Sequence, residues 1–384
     1  MKRKVCIVII SRANYGRIKS ALKAIDNHPD LELQLIVGAS ALLWRFGKVI
    51  DIIKQDGFKI DTTVYLTIEG ENPTTMAKST GLALIELATS LENLKPDIVL
   101  TVADKYETLA TAIASTYMNI PLAHTQGGEI SGSIDESVRH AITKLAHLHF
   151  PATKLSAERI IKMGERPDTV FTVGCPSIDL INEISTDLTT DIFEKYGGVG
   201  KGLDLSKPYL LVLQHSVTTE YGNGYNHINE TLKAIYDLGI QAIVMWPNVD
   251  SGSNEIAKGI RVFRESHKNL DFMHFFINFS IEDYIRILNN CVCIVGNSSS
   301  GIRESAFLGV PAVNIGSRQA GRELGRNVID VGYDSKEIKD AILKQLEYGQ
   351  YKRDYLYGDG SAGEKIAKIL AELNEIEIQK KLAY

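Results

Sequence analysis

The sequence predicts an α/β chain built from two doubly wound, Rossmann-like domains with parallel sheets. Short apolar, β-branched runs recur at 5–10, 31–37, 98–102, 121–124, 209–214, 242–245, 291–295 and 312–315. Each is bounded by turn residues, as buried parallel strands are. Segments of helical periodicity alternate with them, which places helices on both faces of each sheet. The pattern stops over a polar stretch at 179–208, which holds Gly197, Gly198 and Gly200, and then restarts. A chain of 384 residues suits about two domains. We place an N-terminal domain at 1–180 and a C-terminal one at 181–384, the boundary falling within 180–205.

Strand 5–10 runs into Ser11-Arg12-Ala13-Asn14-Tyr15-Gly16 and a helix over 17–27. Strand 31–37 is followed by the turn Gly38-Ala39-Ser40, a helix over 46–55 closed by Asp56-Gly57, and a short strand at 64–67. A helix over 74–94 stops before Lys95-Pro96, where the residue preceding proline leaves the helical region. Strand 98–102 ends in Ala103-Asp104-Lys105-Tyr106-Glu107 and a helix to 118, and strand 121–124 ends in Gln126-Gly127-Gly128-Glu129 before a helix over 135–147. In the second half, strands 209–214, 242–245, 273–275, 291–295 and 312–315 alternate with helices over 229–238, 281–290 and 302–308. Gly309 and Pro311 stop the last of these, and helices over 338–345 and 362–378 finish the chain.

A net charge of −5 gives no basic face for nucleic acid or an anionic membrane. No apolar run approaches the roughly 20 residues that span a bilayer. The apolar stretch after Met1-Lys2-Arg3-Lys4 is too short for a signal peptide. Cys6, Cys175, Cys291 and Cys293 form no Cys-x-x-Cys pair. The expectation is a reduced, cytoplasmic protein with no disulfide framework, no metal cluster and no dinucleotide fingerprint.

Polar groups that directly follow a strand are the candidates for chemistry, since ligands of doubly wound sheets bind at the carboxyl ends of strands, here toward a cleft between domains. In the first half these are Arg12, Asp104, Lys105, Glu107, His124, Gln126, Glu129 and Asp135; in the second, His215, Asn248, Asp250, Arg303, Glu304 and Arg318. They are joined by Gly296-Asn297-Ser298-Ser299-Ser300-Gly301, a hydroxyl-rich turn between a strand and a helix. Such a turn offers free N–H groups and a positive helix end, which suits a phosphate; an ordinary Ser-capped turn has the same composition. Asp104 and Asp135 suit a general base or a helix cap. His215 suits a phosphate leaving group or a structural bond. Glu304 suits two ribose hydroxyls or the helix dipole. His140, His147 and His149 lack zinc spacing and are expected to pack or to lie at the surface.

These segments resemble, in order, the hydrolysing UDP-N-acetylglucosamine 2-epimerases, in their sialic-acid and legionaminic-acid branch. They are Ser11 to Gly16, His124-Thr125-Gln126-Gly127-Gly128-Glu129, Asp135-Glu136-Ser137-Val138-Arg139-His140, Gln214-His215-Ser216-Val217-Thr218-Thr219, Pro247-Asn248-Val249-Asp250-Ser251-Gly252, Gly296 to Glu304, Gly316-Ser317-Arg318-Gln319 and Tyr357-Gly358-Asp359-Gly360. The resemblance spans about residues 3–375 and implies the two-domain glycosyltransferase-B architecture, with UDP on the C-terminal domain and the last helix crossing back to the N-terminal one. It implies removal of the C2 proton, expulsion of UDP from C1 to leave a 2-acetamidoglucal, and then addition of water and a proton to release N-acetylmannosamine or an analogue. Asp104, Asp135, His215 and the position of Gln126 match the catalytic set. Arg12, Lys105, Glu129, Arg139, Asn248, Asp250, Gly296, Asn297, Ser298, Ser299, Arg303, Glu304 and Arg318 match substrate contacts. The implied partners are a UDP-linked sugar (GDP is the other carrier) and further copies of the chain, as a dimer or tetramer. No cofactor is implied.

Two departures sit on the sugar side. The family has His-Gly-Asp-Arg where this chain has Val102-Ala103-Asp104-Lys105, and a glutamate where it has Gln126. An amide exchanges no proton near neutral pH. Either Asp104 and Asp135 suffice, or Glu129 or Glu107 substitutes, or the chain is a hydrolase, a glycosyltransferase or a nucleotide-sugar sensor of the same fold.

Overall fold

A computed structural model of the chain describes residues 2–70, 72–188, 191–248, 250–373 and 376–383. Val249 of the 247–252 motif, Thr189 and Thr190 of the expected boundary, and residues 374 and 375 of the expected last helix lie outside the described residues. The chain divides into two compact units: Met1–Glu129 with Ile134–Asn182 and Tyr357–Tyr384, and Ile130–Ser133 with Glu183–Leu356.

The first unit holds strands β1 (Arg3–Ile9), β2 (Leu31–Gly38), β3 (Thr62–Val64), β4 (Ile98–Val102), β5 (Leu122–Thr125) and β6 (Leu148–Phe150), in the order β3-β2-β1-β4-β5-β6. All its pairings are parallel. The second holds β7 (Tyr209–Leu213), β8 (Gln241–Met245), β9 (Met273–Phe276), β10 (Cys293–Gly296), β11 (Ala312–Ile315) and β12 (Val328–Val331), in the order β12-β11-β10-β7-β8-β9, again all parallel. Strands β4, β5, β10 and β11 are buried along their whole length, because helices cover both faces and leave no polar alternation.

Each strand order reverses direction once, at β1/β4 and at β7/β10, and this is where doubly wound sheets bind ligands. A buried asparagine ties the two strands at each point. Asn14 accepts from the Ile10 N–H at 3.3 Å and donates to the Val102 carbonyl at 3.4 Å. Asn297 accepts from the His215 N–H at 2.7 Å and returns a bond to the His215 carbonyl at 2.8 Å. In both cases one amide side chain satisfies two strand-end groups that the ladders no longer serve.

The helix expected over 17–27 spans Arg12–Asp26, because the Ser11 hydroxyl accepts from the Asn14 N–H at 3.2 Å and caps it. Strand β10 starts at Cys293, because Cys291 ends helix Ile281–Asn290 with its N–H on the Ile287 carbonyl at 3.1 Å. Strands β6 and β12 and helix Ser253–Ser266 were not expected: β6 is three residues long with a histidine at its centre, and β12 is a half-exposed edge. The last helix, Ala362–Glu372, belongs to the first unit. Asp179 accepts from the N–H groups of Ala362 at 3.0 Å and Gly363 at 2.7 Å, and Ser20 donates to the same carboxylate at 2.8 Å. A Cβ on Gly363 would lie 2.6 Å from the Ser20 carbonyl carbon, so glycine is what lets helix Arg12–Asp26 come this close.

Gly296 ends β10 at φ +134°, and a Cβ there would stand 2.1 Å from the Leu213 carbonyl oxygen of β7. Gly296→Ala is therefore expected to cost about 2–4 kcal/mol by adding a steric clash to backbone strain. Urea unfolding checks this; an unchanged midpoint would contradict the strain.

Candidate active site

In the first unit the candidate residues gather at the carboxyl ends of β4 and β5. Ala103 takes a left-handed φ of +62° and Gln126 one of +60°, so both strands end in a sharp turn made by a residue that disfavours it. Asp104, 7% exposed, follows the first turn. Its Oδ2 accepts from Arg139 Nε at 2.9 Å and from Arg139 Nη2. Arg139, itself 1% exposed, donates through Nη1 to the Glu129 carbonyl at 2.7 Å. Burial alone would raise the Asp104 pKa, but the Arg139 guanidinium, with Arg17 and Lys105, overcomes it and holds the carboxyl well below the usual range. Asp104 is therefore an ionised carboxylate in a buried ion pair.

Asp135 opens helix Asp135–Leu145 and pairs with Lys105 Nζ at 3.2 Å. Neither aspartate caps a helix. Lys105 is the N-cap of helix Tyr106–Tyr117 and Ile134 that of helix Asp135–Leu145, and neither side chain caps the N–H groups of its helix. Glu107, in the first turn of the former helix, is buried, as are Gln126 and Glu129. Gln126 donates to Cys175 Sγ at 3.4 Å, and its N–H to the Phe150 carbonyl at 3.0 Å. Cys175 lies just before helix Pro176–Glu183, and all four cysteines are free and buried. Arg12 is the first residue of its helix, just past β1.

His124 stands apart from the expectation that it faces a ligand. It lies within β5, wholly buried, with Nε2 2.8 Å from the Ala103 carbonyl and Nδ1 3.2 Å from Thr143 Oγ1. Burial pushes its pKa down to about 4. The unfolded chain takes up this proton near pH 6.5 and the folded chain only near 4, so stability is full above 6.5 and falls as pH drops toward 4. The urea midpoint is expected to fall across that window, and less steeply in His124→Gln.

His140 meets Glu136 at 3.4 Å, His147 donates to the Ile378 carbonyl at 3.0 Å, and His149 meets Glu165 at 3.1 Å beside Lys144 and Lys380. Among the described residues no group of three or more His, Cys, Asp or Glu could hold a metal.

In the second unit the candidates surround the β7/β10 switch point. His215 Nδ1 accepts from the Asn248 N–H at 3.2 Å, so in the neutral ring the proton sits on Nε2, which is then a donor. Asn248 donates to Asp250 Oδ2 at 2.6 Å, and the Asp250 N–H returns a bond to Asn248 Oδ1 at 3.2 Å. Arg318 donates to the Asn297 carbonyl at 3.1 Å and meets Asp250 at 3.4 Å; Gln319 adds a bond to the same Asn297 carbonyl at 2.8 Å. Ser298 accepts from the Ser300 N–H at 3.3 Å and caps the short turn Ser299–Gly301. Arg303 is buried before helix Glu304–Leu308, whose first residue is Glu304. Glu304 Oε2 and Ser216 Oγ are buried with no hydrogen-bond partner among the described residues. A buried carboxylate oxygen and a hydroxyl left this way are served by ordered water or by the polar groups of a ligand.

The sequence did not single out Asn14, Thr143, Cys175 or Gln319. Two of them left a signal: Asn14 follows a buried strand as Asn297 does, and Gln319 adjoins Arg318 in its motif.

Two doubly wound domains, one with a buried ionised carboxylate and the other with a donor-rich turn at its switch point, define an α/β architecture of the glycosyltransferase-B class. A family model described as UDP-N-acetylglucosamine 2-epimerase matches residues 23–371. The chain is 35% identical over 371 residues, 96% of each chain, to a Legionella pneumophila protein named UDP-N,N'-diacetylbacillosamine 2-epimerase (hydrolyzing). It is 30% identical to a Neisseria meningitidis UDP-N-acetylglucosamine 2-epimerase, over 96% of this chain and 95% of that one. A solved Methanocaldococcus jannaschii UDP-GlcNAc 2-epimerase, in complex with UDP-GlcNAc and UDP, shares the fold with a TM-score of 0.79 at 16% identity, covering 96% of this chain and 99% of the other. The chain belongs to the UDP-N-acetylglucosamine 2-epimerase family and is an epimerase.

Proposed function

We propose that this chain is a hydrolysing nucleotide-sugar 2-epimerase. It takes a UDP-linked 2-acetamido sugar and water and releases UDP and the free sugar inverted at C2, through a glycal, toward a sialic-acid-like product. The observation that carries the reading is Glu304 Oε2, buried without a partner at a helix start beside a turn rich in N–H and hydroxyl donors. A ribose diol supplies donors to the carboxylate, and a diphosphate suits the turn, Arg318 and the Nε2–H of His215. Departure of the diphosphate leaves positive charge at C1, which acidifies the C2 proton. Asp104, ionised, takes that proton; its pairing with Arg139 makes it a weak base, so the charge developing at C1 carries much of the step. Asp135, paired with Lys105, is the second acid/base group, and Arg139 holds Asp104 rather than the substrate.

The departures at Lys105 and Gln126 fall on the sugar side and favour a 2,4-diacetamido sugar, the kind named for the Legionella pneumophila relative. The test is UDP release from that substrate and from UDP-N-acetylglucosamine side by side. At least a tenfold higher kcat/KM for the diacetamido sugar is expected. Equal or reversed values would assign the chain to N-acetylglucosamine.

A further inference from the structure

Helix Asp135–Leu145 reaches the end of β4 by two routes. One is the ion pair of Arg139 with Asp104. The other runs from Thr143, one turn further on, through His124 to the Ala103 carbonyl, at 3.2 and 2.8 Å. The carbonyl can only accept, so His124 Nε2 carries the ring proton. In the neutral ring Nδ1 is then an acceptor, and the Thr143 hydroxyl is its donor. That hydroxyl also lies 3.0 Å from the Arg139 carbonyl, which the helical N–H ladder already serves. Gly127 makes room for the contact: a Cβ there would stand 2.9 Å from Thr143 Oγ1 and 3.0 Å from His124 Nδ1. The chain of bonds ends on the peptide of Ala103, whose φ of +62° an alanine does not hold without help.

We propose that Thr143 and His124 are positioning residues for Asp104. They lock the left-handed turn at Ala103 and so fix the direction in which the Asp104 carboxylate leaves β4. Neither touches substrate; both act through the backbone of the residue before the carboxylate. The proposal rests on the reading of Asp104 as an acid/base group.

Thr143→Val keeps the shape of the side chain and deletes the donor. It is expected to lower kcat about tenfold or more, since small displacements of a catalytic group are costly. KM and UDP affinity are expected to stay within about twofold, and the acid limb of the kcat–pH profile to move upward as Asp104 loosens from Arg139. Thr143→Ser, which restores the hydroxyl, is expected to recover most of the rate. Thr143→Ala serves in place of the valine variant if the latter does not fold, folding being followed by circular dichroism. Parental kcat and pH profile in a folded Thr143→Val or Thr143→Ala would overturn the proposal, as would a Thr143→Ser variant no faster than valine. Asp104→Asn is measured alongside. Full turnover there would overturn the reading of Asp104 and the proposal with it. Loss there with parental kcat in Thr143→Val would overturn the proposal alone.

Discussion

Replacing Arg139 by alanine is expected to destabilise the first unit by about 3–5 kcal/mol, the usual cost of leaving a buried charge without its partner. Both side chains of the pair are shielded, at 1% for Arg139 and 10% for Asp104, so water cannot replace the guanidinium. The loss includes the bond from Nη1 to the Glu129 carbonyl. Asp104 is then expected to take up a proton more readily, because the largest force holding it ionised is gone. Combining Arg139→Met with Asp104→Asn removes both charges and is expected to recover much of the stability while leaving the enzyme inactive. Urea unfolding of the three proteins checks this. A loss below about 1 kcal/mol in Arg139→Ala would mean that the pair contributes like a surface ion pair.

Asp104→Asn is expected to lower turnover by about 10²–10⁴-fold, the range that general acid–base help supplies. The amide keeps an oxygen for Arg139 and the size of the side chain, but it cannot accept the C2 proton. UDP affinity is expected to stay within about twofold, because the proposed nucleotide contacts, from His215 to Arg318, are built on β7, β8, β10 and β11 of the other unit. Steady-state kinetics and calorimetric titration with UDP separate the two effects. Near-parental turnover would remove Asp104 from the chemistry.

The two sheets were legible in the sequence because their inner strands are covered on both faces and read as unbroken apolar runs; β4, β7 and β10 are the clearest cases. Strands β6 and β12 were not, since His149 interrupts the first and partial exposure blurs the second. Listing the polar residues that follow strands brought Asp104, Asp135, His215 and Arg318 forward. The same rule misplaced His124, which lies within its strand and bonds sideways to Ala103. Sequence alone could not rule out a cap at Asp104, because the partner its carboxylate takes instead, Arg139, lies 35 residues on. The two asparagines at the switch points illustrate the same limit: their bonds join strand ends far apart in the chain, and only strand order shows that those ends are neighbours.

Gln126 makes one measurement decisive. The family resemblance implies a glutamate where this chain has an amide, so on the proposed reading inversion at C2 rests on carboxylates such as Asp104 and Asp135. The purified protein is incubated in deuterated water with the UDP-linked 2,4-diacetamido sugar, and with UDP-N-acetylglucosamine in parallel, and followed by proton NMR. The expected result is free UDP with a C2-inverted sugar that carries deuterium at C2. Free UDP with an uninverted sugar that keeps its C2 proton would contradict epimerisation and make the chain a nucleotide-sugar hydrolase.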